Sequence, residues 1–171
     1  AGRWGMLAGV LVCSGCGSGG SEGKCGACRY VGEKNRPCRV SCLGSQCAVI
    51  EFARNVLGIA EAKSGEREAT PHPVIDRMEE QKGVTAKGGT MRLGAYPCAL
   101  KKGSKVAAAY GKLNTSERHR HRSEFNNDYL EQFEDAGLHA VGINPDTGLV
   151  EVVAVANHPW FAGTQQHPEY N

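Results

Sequence analysis

The chain has 171 residues, of which 40% are hydrophobic and 22% charged, and its formal net charge at pH 7 is +2. This length suits one domain with its own core, and the composition is typical of a globular protein. The small net charge does not favour nucleic-acid binding, and no apolar run approaches the roughly 20 residues that cross a bilayer. We therefore expect a cytoplasmic protein whose partners include neither nucleic acid nor a membrane.

Seven of the eight cysteines crowd the first 47 residues. Secreted domains spread their disulfides along the chain, so this distribution does not favour a disulfide framework. Two Cys-x-x-Cys pairs, Cys13 with Cys16 and Cys25 with Cys28, leave a zinc or iron–sulfur module as an alternative. The gap between the pairs is short for a zinc ribbon and the second pair falls in a predicted helix, so we expect no metal.

The first third of the chain predicts the succession of strand, turn and helix twice. A short apolar strand at 9–12 runs into a loop rich in glycine and serine, and a helix follows at 21–34, capped by Ser21. A second strand ends at Val40, and apolar residues recur at helical spacing from 43 to 57. Cys42 therefore lies at the sharp turn between a strand and a helix.

Strands dominate the remainder of the chain. The polar segment 61–89 contains two prolines and predicts a long surface excursion. After it we predict helices at 105–110 and 126–136, a turn at 144–148, and strands at 90–93, 96–100, 138–143, 150–155 and 160–164. Helices that alternate with strands first, and strands that dominate later, indicate an α/β fold.

Cys42 is a candidate nucleophile because the first turn of a helix favours the thiolate over the thiol. The amide of Leu43 would face an oxyanion formed on an attacked carbonyl, and the loop that contains Gly15 could supply a second donor. Far downstream, His167 could act as the base and Glu169 could orient its ring, since both project to the same side of an extended segment. The alternative is that Cys42 is a small buried residue and that His-Pro-Glu belongs to an ordinary surface loop.

The segment 117–122, Glu-Arg-His-Arg-His-Arg, is the main basic run. As a strand it would place its arginines on one face and its histidines on the other. This pattern is typical of a solvated or phosphate-contacting stripe. It also allows one arginine to contact a small anionic substrate.

Several longer segments closely resemble the class I glutamine amidotransferase domain of the CTP synthases. Gly88-Gly89-Thr90-Met91-Arg92-Leu93-Gly94 and the arginine–histidine run are the most specific of them, and the others are 48–57, 124–127, 158–161 and 167–169. The resemblance implies an α/β fold with a mostly parallel central sheet, flanking helices and a nucleophile elbow. It also implies that residues 1–171 form one partial amidotransferase domain, without the first strands and the synthetase domain.

The resemblance implies roles for individual residues. Cys42, His167 and Glu169 would form the catalytic triad through which glutamine becomes a glutamyl thioester. Two groups of residues would bind the substrate. Gly15 and Leu43 would form the oxyanion hole. The amino-acid end of glutamine would be held by Gln46, Glu66 and Arg122.

The same resemblance sets expectations about cofactors and partners. The glutaminase step would need no cofactor, whereas ATP and Mg²⁺ would serve a synthetase domain that converts UTP to CTP with the released ammonia. The full-length enzyme would be a homo-tetramer.

The segment around Cys42 departs from the family pattern. The loop Pro-Gly-Gly-Phe-Gly is here Cys-Ser-Gly-Cys-Gly at 13–17, and Val40 stands where the elbow has glycine. A β-branched residue at that position is expected to disfavour the tight turn. An inactive domain retained for binding or assembly is therefore an alternative function.

Overall fold

The computed structural model describes residues 7–15, 20–66, 68–77 and 91–170. Its helices are α1 (Ser21–Glu33), α2 (Leu43–Asn55), α3 (Lys105–Tyr110) and α4 (Leu130–Asp135), with 3₁₀ turns at Asn127–Tyr129 and Pro168–Tyr170. Its strands are β1 (Val10–Val12), β2 (Cys38–Ser41), β3 (Ala62–Ser64), β4 (His72–Arg77), β5 (Arg92–Leu100), β6 (Asn114–His121), β7 (Ser123–Phe125), β8 (Leu138–Ile143), β9 (Val150–Val155) and β10 (Phe161–Thr164).

The described strands form a sheet of seven in the order β1-β2-β10-β9-β8-β5-β6 and a sheet of three in the order β3-β4-β7. Strands β1, β2 and β10 run parallel, and the other neighbours in the large sheet are antiparallel. Parallel strands end at the same edge of a sheet. The loop after Val12, the turn at Cys42 and the segment after Thr164 therefore meet at one edge.

Helix α2 lies between the two sheets and forms the centre of the core. Its residues 44–53 are all buried, and its apolar side chains pack against β4, β7, β8 and α4. A helix that is covered on every side holds its first residue in a fixed place. Within the described residues, no helix is both long enough and apolar enough to cross a bilayer.

The predicted helices and strands in the first third and in the last third of the chain are confirmed, with small shifts at their ends. Gly20, not Ser21, occupies the N-cap position of α1. The predicted helix 126–136 is a 3₁₀ turn followed by the shorter α4.

Two predictions about the middle of the chain were wrong. The predicted surface excursion contains β3 and β4 of the small sheet, while its residues 67 and 78–89 lie outside the described part of the chain. Pro73 lies within β4, and proline argues against a strand when only the sequence is read. The two strands predicted at 90–93 and 96–100 form the single strand β5. Its pairing with β6 includes Gly94 and Pro97.

Candidate active site

Cys42 occupies a strained turn between β2 and α2. Its φ of 49° and ψ of −115° are rare for a residue with a side chain. The turn is fixed on both sides, because the Cys42 amide donates to the Thr164 carbonyl at 2.8 Å and the Cys42 carbonyl accepts from the Gln46 amide at 3.2 Å. The Sγ atom lies 4.0 Å from the carbonyl oxygen of Arg120.

Close backbone packing beside the turn explains Gly44. A β-carbon on Gly44 would lie 2.2 Å from the carbonyl oxygen of Val12, so a larger residue does not fit there. The expectation that Val40 disfavours the turn was wrong. Val40 lies within β2, its side chain is fully buried, and its partner on β10 is Gly163, which leaves room for a branched side chain.

The electrostatic surroundings of Cys42 are mixed. Burial raises the pKa of its thiol, and the charge of Glu169 raises it further. The backbone amide of Leu43 and the charge of Lys24 act in the opposite direction, but the net pKa stays above the ordinary value. The effect predicted for the start of the helix is therefore present, but burial outweighs it.

His167 and Glu169 form a hydrogen-bonded pair. His167 Nδ1 lies 2.8 Å from Glu169 Oε1, and the imidazole ring stacks on Tyr170 with 5.1 Å between ring centroids. Although burial raises the pKa of Glu169, its contacts with His167 hold the net pKa below the usual value. Because Nδ1 faces the carboxylate, Nε2 is left for a second partner.

The outer edge of β6 brings Cys42 and His167 together. The His167 amide donates to the Arg118 carbonyl at 2.8 Å, and Cys42 Sγ contacts the Arg120 carbonyl. Carbonyl groups two residues apart on a strand point to the same side and are about 7 Å apart. The Cys42 thiol and the His167 backbone therefore contact the same strand edge, about 7 Å apart along it.

The predicted substrate residues converge on Ser123. Gln46 Nε2 donates to the Ser123 carbonyl at 2.8 Å and to Gln165 Oε1 at 3.2 Å. Ser123 Oγ donates to Glu66 Oε2 at 2.6 Å. Ser123 and Gln165 were not predicted as site residues, although each lies within two residues of a predicted one.

Arg122 stands next to Ser123 and is incompletely paired. Its Nε and Nη2 atoms are buried and have no hydrogen-bond partner among the described residues. Burying a guanidinium without a partner is costly. The arrangement therefore suits an anionic group that arrives from outside the chain.

The two predicted oxyanion donors, Gly15 and Leu43, lie just after β1 and at the start of α2. Leu43 is the first residue of α2, and its amide contacts the Cys42 thiol. Gly15 follows β1 and lies close to Lys24, whose Nζ would be 2.8 Å from a β-carbon at position 15. Cys16 and Gly17, from the same predicted loop, lie outside the described residues.

The four cysteines of the proposed metal module do not form a cluster in the part of the chain that the structure describes. Cys13 is exposed, Cys16 lies outside the described residues, and Cys25 and Cys28 belong to different core clusters. Among the described residues, no three histidine, cysteine or acidic side chains are placed to hold a metal ion. The arrangement does not support the metal module.

Residues 117–121 of the basic run form the end of β6 and alternate as predicted, whereas Arg122 lies beyond the strand and is half-buried. Arg118 and Arg120 are exposed, whereas His119 and His121 are buried. The histidines join a buried charged cluster, which also contains Arg92, Glu124 and Glu151. Arg92 Nη1 lies 3.0 Å from Glu124 Oε1 and 2.7 Å from Glu151 Oε1.

The buried cluster keeps its histidines neutral. His119 Nδ1 lies 2.7 Å from His121 Nε2, so one nitrogen must donate and the other accept. Burial and the nearby charge of Arg92 lower the pKa of His119 to about 3, and burial lowers that of His121 as well. Burial also raises the pKa of Glu124, to about 7, against the opposing effect of Arg92.

A cavity lies next to the predicted substrate residue Gln46. Its volume is about 260 Å³, and its walls include Leu43, Gln46, Cys25 and Cys47. Cys42 does not line it. The cavity therefore adjoins the substrate residues from the side of α1, and the geometry around Cys42 defines the candidate site better than cavity size does.

The sequence model of the family "Glutamine amidotransferase class-I" matches residues 5–171. The chain belongs to this family. The expected α/β fold of the class I amidotransferases, with a sharp turn at Cys42, is thereby confirmed. A glutamine amidotransferase from Thermotoga maritima, 14% identical with a TM-score of 0.55, shares the fold.

Among curated relatives, the chain is 58% identical to the CTP synthase of Bacteroides fragilis over 168 residues, which are 98% of this chain and 32% of that protein. It is also 58% identical to the CTP synthase of Cytophaga hutchinsonii over 166 residues, 96% of this chain and 31% of the relative. The chain therefore spans about a third of the length of these relatives.

Among solved structures, the glutaminase domain of Trypanosoma brucei CTPS with bound acivicin superposes with a TM-score of 0.89. It is 35% identical, and the match covers 97% of this chain and 65% of that one. The resemblance to the amidotransferase domain of CTP synthases is confirmed.

Proposed function

We propose that this domain hydrolyses L-glutamine to glutamate and ammonia through a thioester on Cys42. The observation that carries the proposal is the common position of Cys42 and His167 against one edge of β6, with Glu169 on the far side of the imidazole. A thiol, a base and an orienting carboxylate in this order form the arrangement that activates a cysteine nucleophile.

The reaction follows from this arrangement. His167 takes the proton of the Cys42 thiol, and the thiolate attacks the side-chain amide carbon of glutamine. The tetrahedral intermediate collapses, the C–N bond breaks, and His167 returns the proton so that ammonia leaves. Water then attacks the thioester while His167 takes its proton, and glutamate leaves as the Cys42 thiol is restored.

The oxyanion of the intermediate and the two charged groups of glutamine each have a binding partner in the proposed site. The amides of Leu43 and Gly15 donate to the oxyanion of the intermediate. The incompletely paired guanidinium of Arg122 receives the α-carboxylate of glutamine, and Glu66 receives the α-ammonium. Gln46 holds this end of the site in place through Ser123.

The similarity to CTP synthases extends the proposal to the longer protein. Ammonia released at Cys42 passes to a synthetase domain, which uses ATP and Mg²⁺ to convert UTP to CTP. The longer protein is a homo-tetramer, and the glutaminase step itself uses no cofactor. We base these statements on the resemblance to the CTP synthases, and the two relatives named above are about three times as long as this chain.

Glutamate release from glutamine, measured for the wild type and for Cys42→Ala, tests the proposal. We expect activity in the wild type and none above background in the variant, because the variant lacks the thiol on which the proposed thioester forms. Cys98→Ala is the matched control, since Cys98 is also buried but lies on β5 in another cluster. Equal turnover by wild type and Cys42→Ala would overturn the proposal, and an inactive wild type that still binds glutamine would favour the binding role.

A further inference from the structure

Lys24 is a cation at an electrostatically unfavourable position of helix α1. It lies in the first turn of the 13-residue helix α1, where the positive end of the helix dipole disfavours a cation. No carboxylate of the described residues forms an ion pair with it. A charge placed against local preference points to a role outside the helix.

The ammonium of Lys24 reaches the loop that follows β1. Its Nζ donates to the carbonyl of Cys13 at 3.0 Å. It also occupies the space that a side chain at position 15 would need, because a β-carbon on Gly15 would lie 2.8 Å from Nζ. Lys24 thus contacts both ends of the segment 13–15, which contains one of the proposed oxyanion donors.

The same charge acts on Cys42. Burial raises the pKa of that thiol, and Lys24 is one of the groups that oppose the rise, together with the Leu43 amide. The other charged group that acts on this thiol is Glu169, which raises the pKa and is hydrogen-bonded to His167. Lys24 is therefore the side-chain cation that favours the thiolate from the side of α1.

We propose that Lys24 is a positioning residue of the glutaminase site, which anchors the Cys13–Gly15 segment through the Cys13 carbonyl and brings a positive charge to the end of β1, where the Val12 carbonyl meets Gly44 next to the Cys42 turn. This inference rests on the proposed function of Cys42. It adds a second way to favour the thiolate, at a site where burial disfavours it.

The test compares Lys24→Met with Lys34→Met. Methionine keeps the length of the side chain and removes the charge, and Lys34 is exposed at the other end of the same helix. The readout is the rate of Cys42 alkylation by iodoacetamide as a function of pH, without glutamine, followed by peptide mass mapping. Alkylation reports the thiolate directly and does not need a working glutaminase.

For Lys24→Met we expect the alkylation midpoint to rise by roughly half to one pH unit and kcat/KM for glutamine to fall about five- to tenfold. Lys34→Met should match the wild type, and Lys24→Arg should restore most of the midpoint, since it keeps the charge.

An unchanged midpoint in Lys24→Met would overturn the inference, even if activity fell, because the loss would then be structural. If Lys24→Met does not fold, Lys24→Gln replaces it. If both variants either fail to fold or leave the midpoint unchanged, while Lys24→Arg behaves as wild type, then Lys24 has a role in folding alone and the inference is overturned. The proposed function fails separately, through an active Cys42→Ala variant.

Discussion

Gly44 and Val12 touch through their backbones: a β-carbon on Gly44 would approach the Val12 carbonyl oxygen to 2.2 Å. This contact joins the end of β1 to the start of α2 and sets the position of Cys42 between them. An alanine at position 44 must therefore push the two elements apart, and neither can move easily because both belong to the core.

Gly44→Ala should consequently abolish most of the glutaminase activity, by about a hundredfold or more, and destabilise the fold by about 1–3 kcal/mol. Gly26→Ala is the matched control. Gly26 lies within α1 with no atom within 4 Å of its missing β-carbon, so alanine there should stabilise the protein by roughly 0.5–1 kcal/mol. Urea unfolding and glutamine turnover measure both effects. A fully active Gly44→Ala enzyme would show that the close contact does not shape the site.

Arg122→Lys should raise the KM for glutamine about ten- to a hundredfold and change kcat little, because lysine keeps the charge but loses the planar pair of donors that fits a carboxylate. Steady-state kinetics with Arg29→Lys as control separates this effect from a general loss of arginine, since Arg29 is exposed on α1. If kcat falls and KM does not change, Arg122 does not hold the ground-state substrate.

Glu169→Gln should lower kcat about ten- to a hundredfold, because the amide can hold the imidazole but cannot stabilise its protonated form. The KM for glutamine should remain near the wild-type value. Glu169 is 43% exposed, so water screens part of its charge and the loss should stay below that of a buried orienting carboxylate. Unchanged kcat would remove Glu169 from the proposed triad.

The free energy of unfolding should decrease as the pH is lowered, because of the buried histidines of β6. The pKa of His119 is depressed from 6.5 to about 3, so the unfolded chain binds a proton that the folded chain does not. The contribution of neutral His119 to the free energy of unfolding is fully present above pH 6.5. It decreases by about 1.4 kcal/mol per pH unit as the pH falls toward 3. Glu124, with a pKa raised to about 7, acts in the opposite direction between 7 and 4.5.

The free energy of unfolding should therefore decrease more steeply below about pH 4.5, where the opposing contribution of Glu124 ends. Urea unfolding of wild type and His119→Gln between pH 7 and 3.5 measures it, and the variant should show the flatter profile. His139→Gln, at a partly exposed position, controls for a simple loss of imidazole. Parallel profiles for wild type and His119→Gln would contradict this account.

Some of this arrangement could be predicted from sequence because the signal is local. An apolar strand, a cysteine and a helical pattern predicted the turn at Cys42, and the alternation of arginine and histidine predicted the two faces of β6. The place of Val40 could not be predicted, because it depends on Gly163, which lies far along the chain and pairs with Val40 only in the folded sheet.

The buried charged cluster could not be predicted for a related reason. Arg92, Glu124 and Glu151 come from three strands, and charged residues in a sequence ordinarily indicate an exposed face. Glu151, within the otherwise apolar β9, was the available signal. Ser123 was missed because a single serine after the basic run carries no chemistry until Gln46 and Glu66 contact it.

The central claim is that Cys42 is an activated nucleophile in a site that recognises glutamine. Intact mass spectrometry and peptide mapping after incubation with a chloroketone analogue of glutamine test it most directly. We predict a single adduct on Cys42 that excess glutamine prevents. Labelling spread over the cysteines, or an unmodified Cys42, would contradict the claim.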